Sequence, residues 1–369
     1  MQNMSAWMQA LSGLAIGAAA GFAVRRARLC SFGAIEDALM GGDSRRLRVF
    51  ALALGIAILG TQALILGGFL DPELTTYTPP ALPLVAIVIG SVMFGIGMAM
   101  VGTCGFGSLV RLGGGDLRSL IVILVMGAAA YAALRGILAG IRIGFFELLS
   151  LAIPEGARSD FASLTSLALG FEVRPIVTAI AGAGLCCLAL ADTRLRRAPR
   201  LVSAGIVLGV MIVAGWIVTV SLTDDFAGPQ RPQSLTFVST IGKTLYAGLL
   251  NVTNFADFGV GSVLGVIAGS WLAAWRAAEL RWEAFDDDHE MRRHLSGAVL
   301  MGLGGILAGG CTIGQGLTAG SMLALSAPLA IGGMIVGARL GIAILLDGSP
   351  RGMFQRNWAT FLGRSDPAE

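Results

Sequence analysis

The stretch FGIGMAMVGTCGFG at residues 94–107 appears a second time, with substitutions, as MGLGGILAGGCTIG at residues 301–314. Alignment at an offset of 207 residues places Cys104 on Cys311 and superposes four pairs of glycines. In each copy an apolar run meets a cysteine between glycines, which predicts a membrane helix that breaks at that cysteine. Two broken helices at corresponding places of two repeats are typical of a transport site between the repeats.

The composition defines the class of protein around this repeat. Hydrophobic residues make up 55% of the 369 residues and charged residues only 13%, and the mean hydropathy is +0.78. Soluble domains carry about 25% charged residues, so we expect an all-α polytopic membrane protein. A net charge of +3 without a long basic run argues against a nucleic-acid partner. The five cysteines lack the paired spacing of a disulfide framework.

Nine apolar stretches are long enough to cross the roughly 30 Å of hydrocarbon in a bilayer as helices. They lie near residues 6–24, 49–69, 83–102, 119–140, 174–192, 201–221, 255–275, 295–310 and 327–346. Three further segments, 31–40, 105–112 and 312–324, are too short to span. We predict that these are half-helices or re-entrant segments, which a membrane tolerates only where protein or a water-filled cavity covers their backbone.

The charges of the loops predict the orientation of the chain. Arginine-rich loops alternate with acidic or neutral ones, and cytoplasmic loops carry the excess of Arg and Lys. We therefore expect a bacterial inner-membrane protein with a periplasmic N-terminus and a cytoplasmic C-terminus. The segment 141–173 is then periplasmic, although it contains Arg142 and Arg158.

With this topology the span before Cys104 runs inward and the span before Cys311 runs outward, so the fold is predicted to consist of two inverted, pseudo-symmetric repeats. The predicted divisions are a first repeat at 1–173, a connecting helix and cytoplasmic loop at 174–200, a second repeat at 201–347 and a cytoplasmic tail at 348–369.

A second correspondence between the halves concerns Cys30. The sequence SFG at 31–33 resembles DFG at 257–259, which sets Cys30 opposite Ala256. Cys30 therefore has no thiol counterpart in the second half. Asn254 or Asp257 is a candidate polar residue in place of a fourth cysteine.

The cysteines between glycines predict the chemistry of the site. A neutral thiol is an S–H donor that costs far less to bury than an ammonium or guanidinium group, and its weak hydrogen bonds let an ion leave again. Exposed backbone N–H groups and half-helix N-termini add partial positive charge. The candidate residues are Cys30, Cys104, Cys311, Gly102, Gly105, Gly107, Gly310, Gly314 and Gln315. We expect neither a metal nor a cofactor.

Four blocks of the chain resemble the YeeE/YedE family of sulfur-transport membrane proteins. They are CSFGAIEDALMGGD at 30–43, VGTCGFGSLVRLGGG at 101–115, SLTFVSTIGKTL at 234–245 and GGCTIGQGLTAGS at 309–321. The resemblance implies an inverted-repeat fold that takes up thiosulfate or a similar sulfur-containing ion towards the cytoplasm. It also implies essential pore cysteines, which map onto Cys104, Cys311 and Cys30, and a TusA-like cytosolic sulfur-carrier protein as a partner.

Other interpretations stay open at this stage. The adjacent Cys186 and Cys187 are expected to be small apolar fillers of a helix, and Arg135 either snorkels to the membrane surface or attracts the anion. Selenium oxyanions, sulfite and other small sulfur species are alternative substrates. A membrane thiol oxidoreductase with Cys104 and Cys311 as a redox pair is less favoured, because the chain has no CxxC motif and no haem-type histidine within the spans. We therefore expect a transporter and not an enzyme.

Overall fold

The computed structural model describes residues 2–146, 150–153, 158–222, 231–250, 257–285 and 287–347. The α-helices in these ranges are α1 (Gln2–Ala27), α2 (Ser31–Met40), α3 (Arg45–Leu66), α4 (Leu84–Val101), α5 (Gly105–Gly113), α6 (Leu117–Arg135), α7 (Ala139–Ile141), α8 (Phe161–Leu169), α9 (Arg174–Leu190), α10 (Thr193–Arg196), α11 (Pro199–Ser221), α12 (Val238–Leu250), α13 (Phe258–Arg276), α14 (Asp288–Leu307) and α15 (Ser326–Asp347). The remaining elements are a 3₁₀ turn (Pro72–Leu74), π-helical segments at Arg142–Phe146 and Gly314–Ala319, and the short strands β1 (Ala81–Leu82) and β2 (Leu151–Ala152).

Each predicted span contains one helix, and these helices are α1, α3, α4, α6, α9, α11, α13, α14 and α15. Within the described residues, seven helical stretches are long and apolar enough to cross a membrane. Of the other two spans, α9 is apolar but has only 17 residues, and α14 begins with charged residues. The three predicted half-helices are α2, α5 and the π-helical segment Gly314–Ala319. The chain is therefore a multi-pass, all-α membrane protein, as predicted.

The helices pack in two matching sets. α1 lies along α13 as α11 lies along α3, and α4 lies along α15 as α14 lies along α6. The short helices follow the same rule, because α2 contacts α3 where α12 contacts α13. The correspondence in chain order is α1 with α11, α2 with α12, α3 with α13, α4 with α14, α5 with the π-helical segment Gly314–Ala319, and α6 with α15. The helices of two corresponding pairs, α1 with α11 and α4 with α14, also pack against each other.

Corresponding helices run in opposite directions. Near the start of α1, Gln9 Nε2 donates to the carbonyl oxygen of Leu222, which follows the end of α11, at 2.8 Å. The end of α1 lies on the other face, where Arg28 forms an ion pair with Glu279 just after α13. The helices α1 and α11 are therefore antiparallel, as an inverted pair requires. The boundaries at 173 and 200 stay a prediction, and the predicted tail 348–369 lies outside the described residues.

This correspondence changes the residue opposite Cys30. Cys30 directly precedes α2 and Phe237 directly precedes α12, and the offset of 207 residues that aligns the cysteine repeats also aligns these two residues. The pairing of residues 31–33 with 257–259 disagrees with the packing, because α13 corresponds to α3. The second half therefore places an aromatic ring, and not Ala256, where the first half has a thiol.

The loops divide between the two faces as their charges predict. Arg158 forms an ion pair with Glu73, and β1 pairs with β2 in an antiparallel register. Both contacts place the 141–173 segment beside the acidic loop that follows α3, in spite of its arginines. On the other face Arg118 pairs with Glu283 and Glu290, which joins the basic loops before α6 and α14.

Small residues let the helices α1 and α13 approach closely. Glycines recur at every fourth position on the facing surfaces of α1 and α13, at Gly13, Gly17, Gly21, Gly261, Gly265 and Gly269. A Cβ atom at any of these positions would overlap a backbone carbonyl oxygen of the other helix. This spacing is the small-xxx-small pattern that brings membrane helices together where lipid supplies no hydrophobic driving force.

Candidate functional site

Cys104 lies in the break between α4 and α5. The helix α4 ends at Gly102, whose φ of +74° is a left-handed conformation that favours glycine. Cys104 is the N-cap residue of α5, and its Sγ accepts a hydrogen bond from the backbone N–H of Gly107 at 3.3 Å. The side chain is buried. The thiol therefore accepts a hydrogen bond at the N-terminus of α5 through a sulfur lone pair. Its S–H group can still donate to another partner.

Cys311 repeats this arrangement in the second half. After α14 the chain turns through Gly309, which also has a left-handed φ of +75°. The Cys311 Sγ accepts a hydrogen bond from the backbone N–H of Gly314 at 3.4 Å, and the side chain is fully buried. The sequence repeat is therefore also a repeat of hydrogen bonds. Both thiols point at the first turn of a short helix, where unpaired N–H groups favour negative charge.

The predicted glycines lie at close approaches around these thiols. A Cβ atom at Gly107 would overlap the hydroxyl of Thr103, and one at Gly314 would lie 2.6 Å from Thr236 Oγ1. Gly105 opens α5 against Met126. Gly310, with an extended φ of +158°, directly precedes Cys311. A larger residue at Gly107 or Gly314 would therefore displace a hydroxyl group beside the thiols.

Cys30 lies on the side of Cys104 that faces the basic loops. It is half-buried, directly precedes α2 and makes no capping hydrogen bond through its side chain. Its Sγ is 3.6 Å from Thr103 Oγ1, on the residue before Cys104. The first two predicted cysteines of the chain are therefore brought together through a hydroxyl group.

Sequence reasoning missed the hydroxyl groups at the site. Ser31 Oγ lies 3.2 Å from Thr312 Oγ1, and both hydroxyls lie near the Cys104 thiol. Near Cys311, the buried Tyr77 and Thr236 line the same cavity. The signal for the first pair was present in the sequence, because Ser31 and Thr312 each directly follow a predicted site cysteine.

Gln315 stabilises the helix break at Cys311 through two hydrogen bonds. Its Nε2 donates to the carbonyl oxygen of Ala308 at 2.9 Å, and its Oε1 accepts from Ser326 Oγ at 3.0 Å. Arg111 does the equivalent work in the first half, because its guanidinium donates to the carbonyl oxygen of Gly102 at 2.8 Å. Each side chain satisfies a carbonyl group that a helix end leaves without an intrahelical partner.

A cavity of about 530 Å³, which we name the outer vestibule, opens beside Cys311 on the face of the acidic loop that follows α3. Its floor includes Gly309, Gly310, Tyr77 and Thr236. The cationic residues of its wall come from four separate segments and are Arg135, Arg142, Arg231 and Lys243. Among the described lining residues they outnumber the acidic ones, of which there is one, Asp257, whose carboxylate caps α13 by accepting from the Gly259 N–H. The cavity therefore attracts anions. Asn254, the other proposed polar substitute for a cysteine, lies outside the described residues.

An inner vestibule of about 320 Å³ opens on the opposite face, beside Cys30. Gly102, Thr103 and Gly107 also line it. Its cationic lining residues are Arg25, Arg28, Arg46 and Arg111, and three of these also line a broader basin of about 1020 Å³. The hydrogen bond from Arg28 lowers the pKa of Glu279 in the basin, so that carboxylate stays charged.

The two vestibules are separated by the buried residues at the two helix breaks, around Cys104 and Cys311, which we name the constriction. Cys104 and Cys311 line neither vestibule, although Gly310 borders the outer one and Thr103 the inner one. The constriction is neutral at its centre and is flanked by cationic walls on both sides. In depth, the order of the thiols from the outer to the inner vestibule is Cys311, Cys104 and Cys30.

The two other cysteines lie apart from the constriction. All five cysteines are free, and Cys186 and Cys187 lie on α9, where Cys187 is exposed. Cys186 packs beside Gly55 of α3, away from the constriction. Among the described residues, no group of three or more His, Cys, Asp or Glu side chains is placed to hold a metal ion.

Comparison with known proteins shows which family this chain resembles. The model of a family described as Sulphur transport matches residues 26–340. A protein of Escherichia coli (strain K12) named thiosulfate transporter TsuA is 27% identical over 337 residues, which are 89% of this chain and 92% of that protein. A protein of Spirochaeta thermophila with the same name is 27% identical over 328 residues, 86% of this chain and 94% of that protein.

Proposed function

Because this chain belongs to the Sulphur transport family, we propose that it takes up thiosulfate through the inner membrane of a bacterium. The N-terminus is periplasmic and the C-terminus cytoplasmic, so that the outer vestibule faces the periplasm and uptake runs towards the cytoplasm. The observation that carries the proposal is the pair of repeat-related, buried thiols between two cationic vestibules. The names of the two relatives support the choice of substrate.

The vestibules concentrate the ion at both ends of its route. Thiosulfate is a dianion, and a cleft lined by one sign of charge raises the local concentration of the opposite ion. Arg231, Lys243 and Arg135 line the outer cavity, and the inner one has its own arginines. The ion meets cationic residues before and after the constriction, but not inside it.

The constriction passes the ion through weak bonds. A neutral thiol donates a weak hydrogen bond, and the terminal sulfur of thiosulfate is a large, soft acceptor. The thiols of Cys311, Cys104 and Cys30 receive this sulfur in turn. Conduction requires that each site hold the ion favourably enough to enter and weakly enough to leave, and a thiol relay meets both conditions.

The broad inner basin is where the ion leaves the protein. Its arginines and its width suit the approach of an acceptor in the cytoplasm, which we take to be a TusA-like sulfur-carrier protein. Cys30 is the thiol nearest to this basin and therefore the last of the relay.

Growth and uptake test the proposal together. A sulfur-auxotrophic host with and without this chain is grown on thiosulfate, sulfite or sulfate as the sole sulfur source, and labelled thiosulfate uptake is measured in membrane vesicles. We expect the chain to permit growth on thiosulfate and to confer uptake. Growth on sulfite but not on thiosulfate identifies sulfite as the substrate. Uptake of labelled selenium oxyanions without uptake of thiosulfate identifies those ions instead. Turnover-linked formation of a Cys104–Cys311 disulfide identifies a thiol oxidoreductase instead.

Replacement of Cys30 tests the inner end of the relay. Cys30→Ala should lower thiosulfate uptake without emptying the central site, because Cys104 and Cys311 remain. Cys30→Ser should retain more uptake than Cys30→Ala, since a hydroxyl is a donor of similar size. Both variants are measured in the same vesicle assay. If Cys30 only packs against its neighbours, alanine will be tolerated at least as well as the more polar serine.

A further inference from the structure

Two hydroxyl groups meet across the constriction. Ser31 is the first residue of α2 in the first half, and Thr312 directly follows Cys311 in the second half. Their side-chain oxygens nevertheless lie 3.2 Å apart. Both hydroxyls lie near the Cys104 thiol. Ser31 is 8% exposed. Two hydroxyls that come from different halves of the chain therefore meet near the Cys104 thiol, between the two vestibules.

We propose that Ser31 and Thr312 are specificity-determining residues that bind the oxygen atoms of the transported anion while the thiols hold its terminal sulfur. This inference rests on the proposed function. It narrows the substrate class to small anions that carry both oxygen atoms and a soft terminal atom.

The chemistry of the ion requires both kinds of donor. The negative charge of thiosulfate lies largely on its three oxygens, which are hard acceptors and lose their water shell in the buried constriction. Buried polar groups that lose water without gaining a hydrogen bond are destabilised. A hydroxyl donates a stronger hydrogen bond than a thiol, so Ser31 and Thr312 are the better partners for the oxygens and Cys104 for the sulfur.

The two hydroxyls form a hydrogen bond with each other, so that neither polar group lacks a partner in the constriction. An arriving oxyanion replaces this bond with two charge-assisted ones, which are the stronger type. Binding is therefore favourable without a fixed charge, and the ion is not trapped.

The pairing of a thiol with a hydroxyl recurs along the route. Cys30 is adjacent in sequence to Ser31, Cys104 to Thr103 and Cys311 to Thr312, and Cys30 Sγ contacts Thr103 Oγ1 at 3.6 Å. Each thiol position therefore has an oxygen donor beside it. An anion with only one kind of acceptor atom uses only half of these donors at each step. Hydrosulfide offers only sulfur, and sulfate offers only oxygen.

The test compares isosteric and hydroxyl-retaining variants at one position. Thr312→Val removes the hydroxyl with little change of shape, whereas Thr312→Ser keeps it. In vesicles we expect Thr312→Val to raise the KM for labelled thiosulfate by about tenfold, which corresponds to about 1.4 kcal/mol, and Thr312→Ser to stay near the wild-type value. Ser31→Ala should have an effect similar to that of Thr312→Val. Inhibition of uptake by hydrosulfide, which has no oxygen atoms, should be unchanged in Thr312→Val.

Two matched controls remove buried hydroxyls elsewhere. Thr61→Val on α3 deletes a hydroxyl that makes no hydrogen bond within the described part of the chain, and Ser91→Ala on α4 deletes one bonded only to Val88 of its own helix. Both should transport with the wild-type KM.

The outcomes separate this inference from the proposed function. A wild-type KM in Thr312→Val and Ser31→Ala overturns the inference alone, as does an equal loss in Thr312→Val and Thr312→Ser, which would mean that shape and not the hydroxyl matters. A rise of the hydrosulfide inhibition constant by the same factor as the KM also overturns it. Absence of thiosulfate uptake by the wild-type chain refutes the proposed function itself.

Discussion

The variants Cys104→Ala and Cys311→Ala should each lower thiosulfate uptake by roughly 10- to 100-fold. A hydrogen bond to a charged group contributes about 1.5–3 kcal/mol, and every 1.4 kcal/mol corresponds to about a factor of ten. Each thiol is the S–H donor of its own half of the constriction, and the thiol of the other half lies at a different depth. Neither can therefore replace the other. The measurement is the initial rate of labelled uptake in vesicles that contain equal amounts of each variant.

The same substitutions should leave the fold intact. Truncation of a large core side chain costs about 2–5 kcal/mol, but cysteine to alanine removes a single heavy atom. The double variant Cys186→Ala with Cys187→Ala is the matched control, because it removes two thiols from α9, away from the constriction. It should transport normally. Uptake near the wild-type rate in both Cys104→Ala and Cys311→Ala would contradict the thiol relay.

The parts of the fold that depend on short stretches of sequence were predicted correctly. A run of apolar residues of sufficient length forms a membrane helix because its backbone must be satisfied internally. The nine predicted spans therefore coincide with helices. The breaks at Cys104 and Cys311 were predictable because glycines that adopt a left-handed φ, Gly102 and Gly309, end the preceding helices. The short segments after them are then too short to cross.

The parts that depend on contacts between distant segments were not predicted. The hydroxyls of Ser31 and Thr312 meet only because α2 and the second break share the centre of the fold. The equivalence of Cys30 with Phe237 follows from the packing of α2 and α12, whereas a local similarity to residues 257–259 indicated another partner. The amide of Gln315 is bonded to Ala308 and Ser326, which a motif alone does not reveal.

The two halves differ at the position of Cys30. The Cys104 and Cys311 positions match down to their hydrogen bonds with Gly107 and Gly314, but Cys30 is matched by Phe237. The Phe237 ring packs against Phe106, with ring centroids 4.7 Å apart. The side of the outer vestibule therefore has a packed aromatic pair where the inner side has an accessible thiol. In the proposed relay this difference gives the inner end an additional thiol beyond the symmetric pair.

Introduction of a single methyl group between α1 and α13 should be severely destabilising. In Gly17→Ala the new Cβ would overlap the carbonyl oxygen of Ser262, and in Gly265→Ala it would overlap that of Leu14. The obstructing atoms belong to helix backbones, which cannot rotate away as a flexible side chain can. Overpacking of a well-packed interior costs about 1–3 kcal/mol and occasionally more. We expect a lower melting temperature in detergent and less folded protein in the membrane for each variant.

The matched control for this prediction is Gly184→Ala on α9. A Cβ atom at Gly184 has no other atom within 4 Å in the described structure, and alanine is favoured over glycine in a helix by about 1 kcal/mol. This variant should therefore be as stable as the wild type or slightly more stable. Because α1 and α13 belong to different halves, loss of their contact should also abolish uptake without any change to Cys104 or Cys311. An unchanged melting temperature in Gly17→Ala and Gly265→Ala would show that the two helices do not approach as closely as the structure places them.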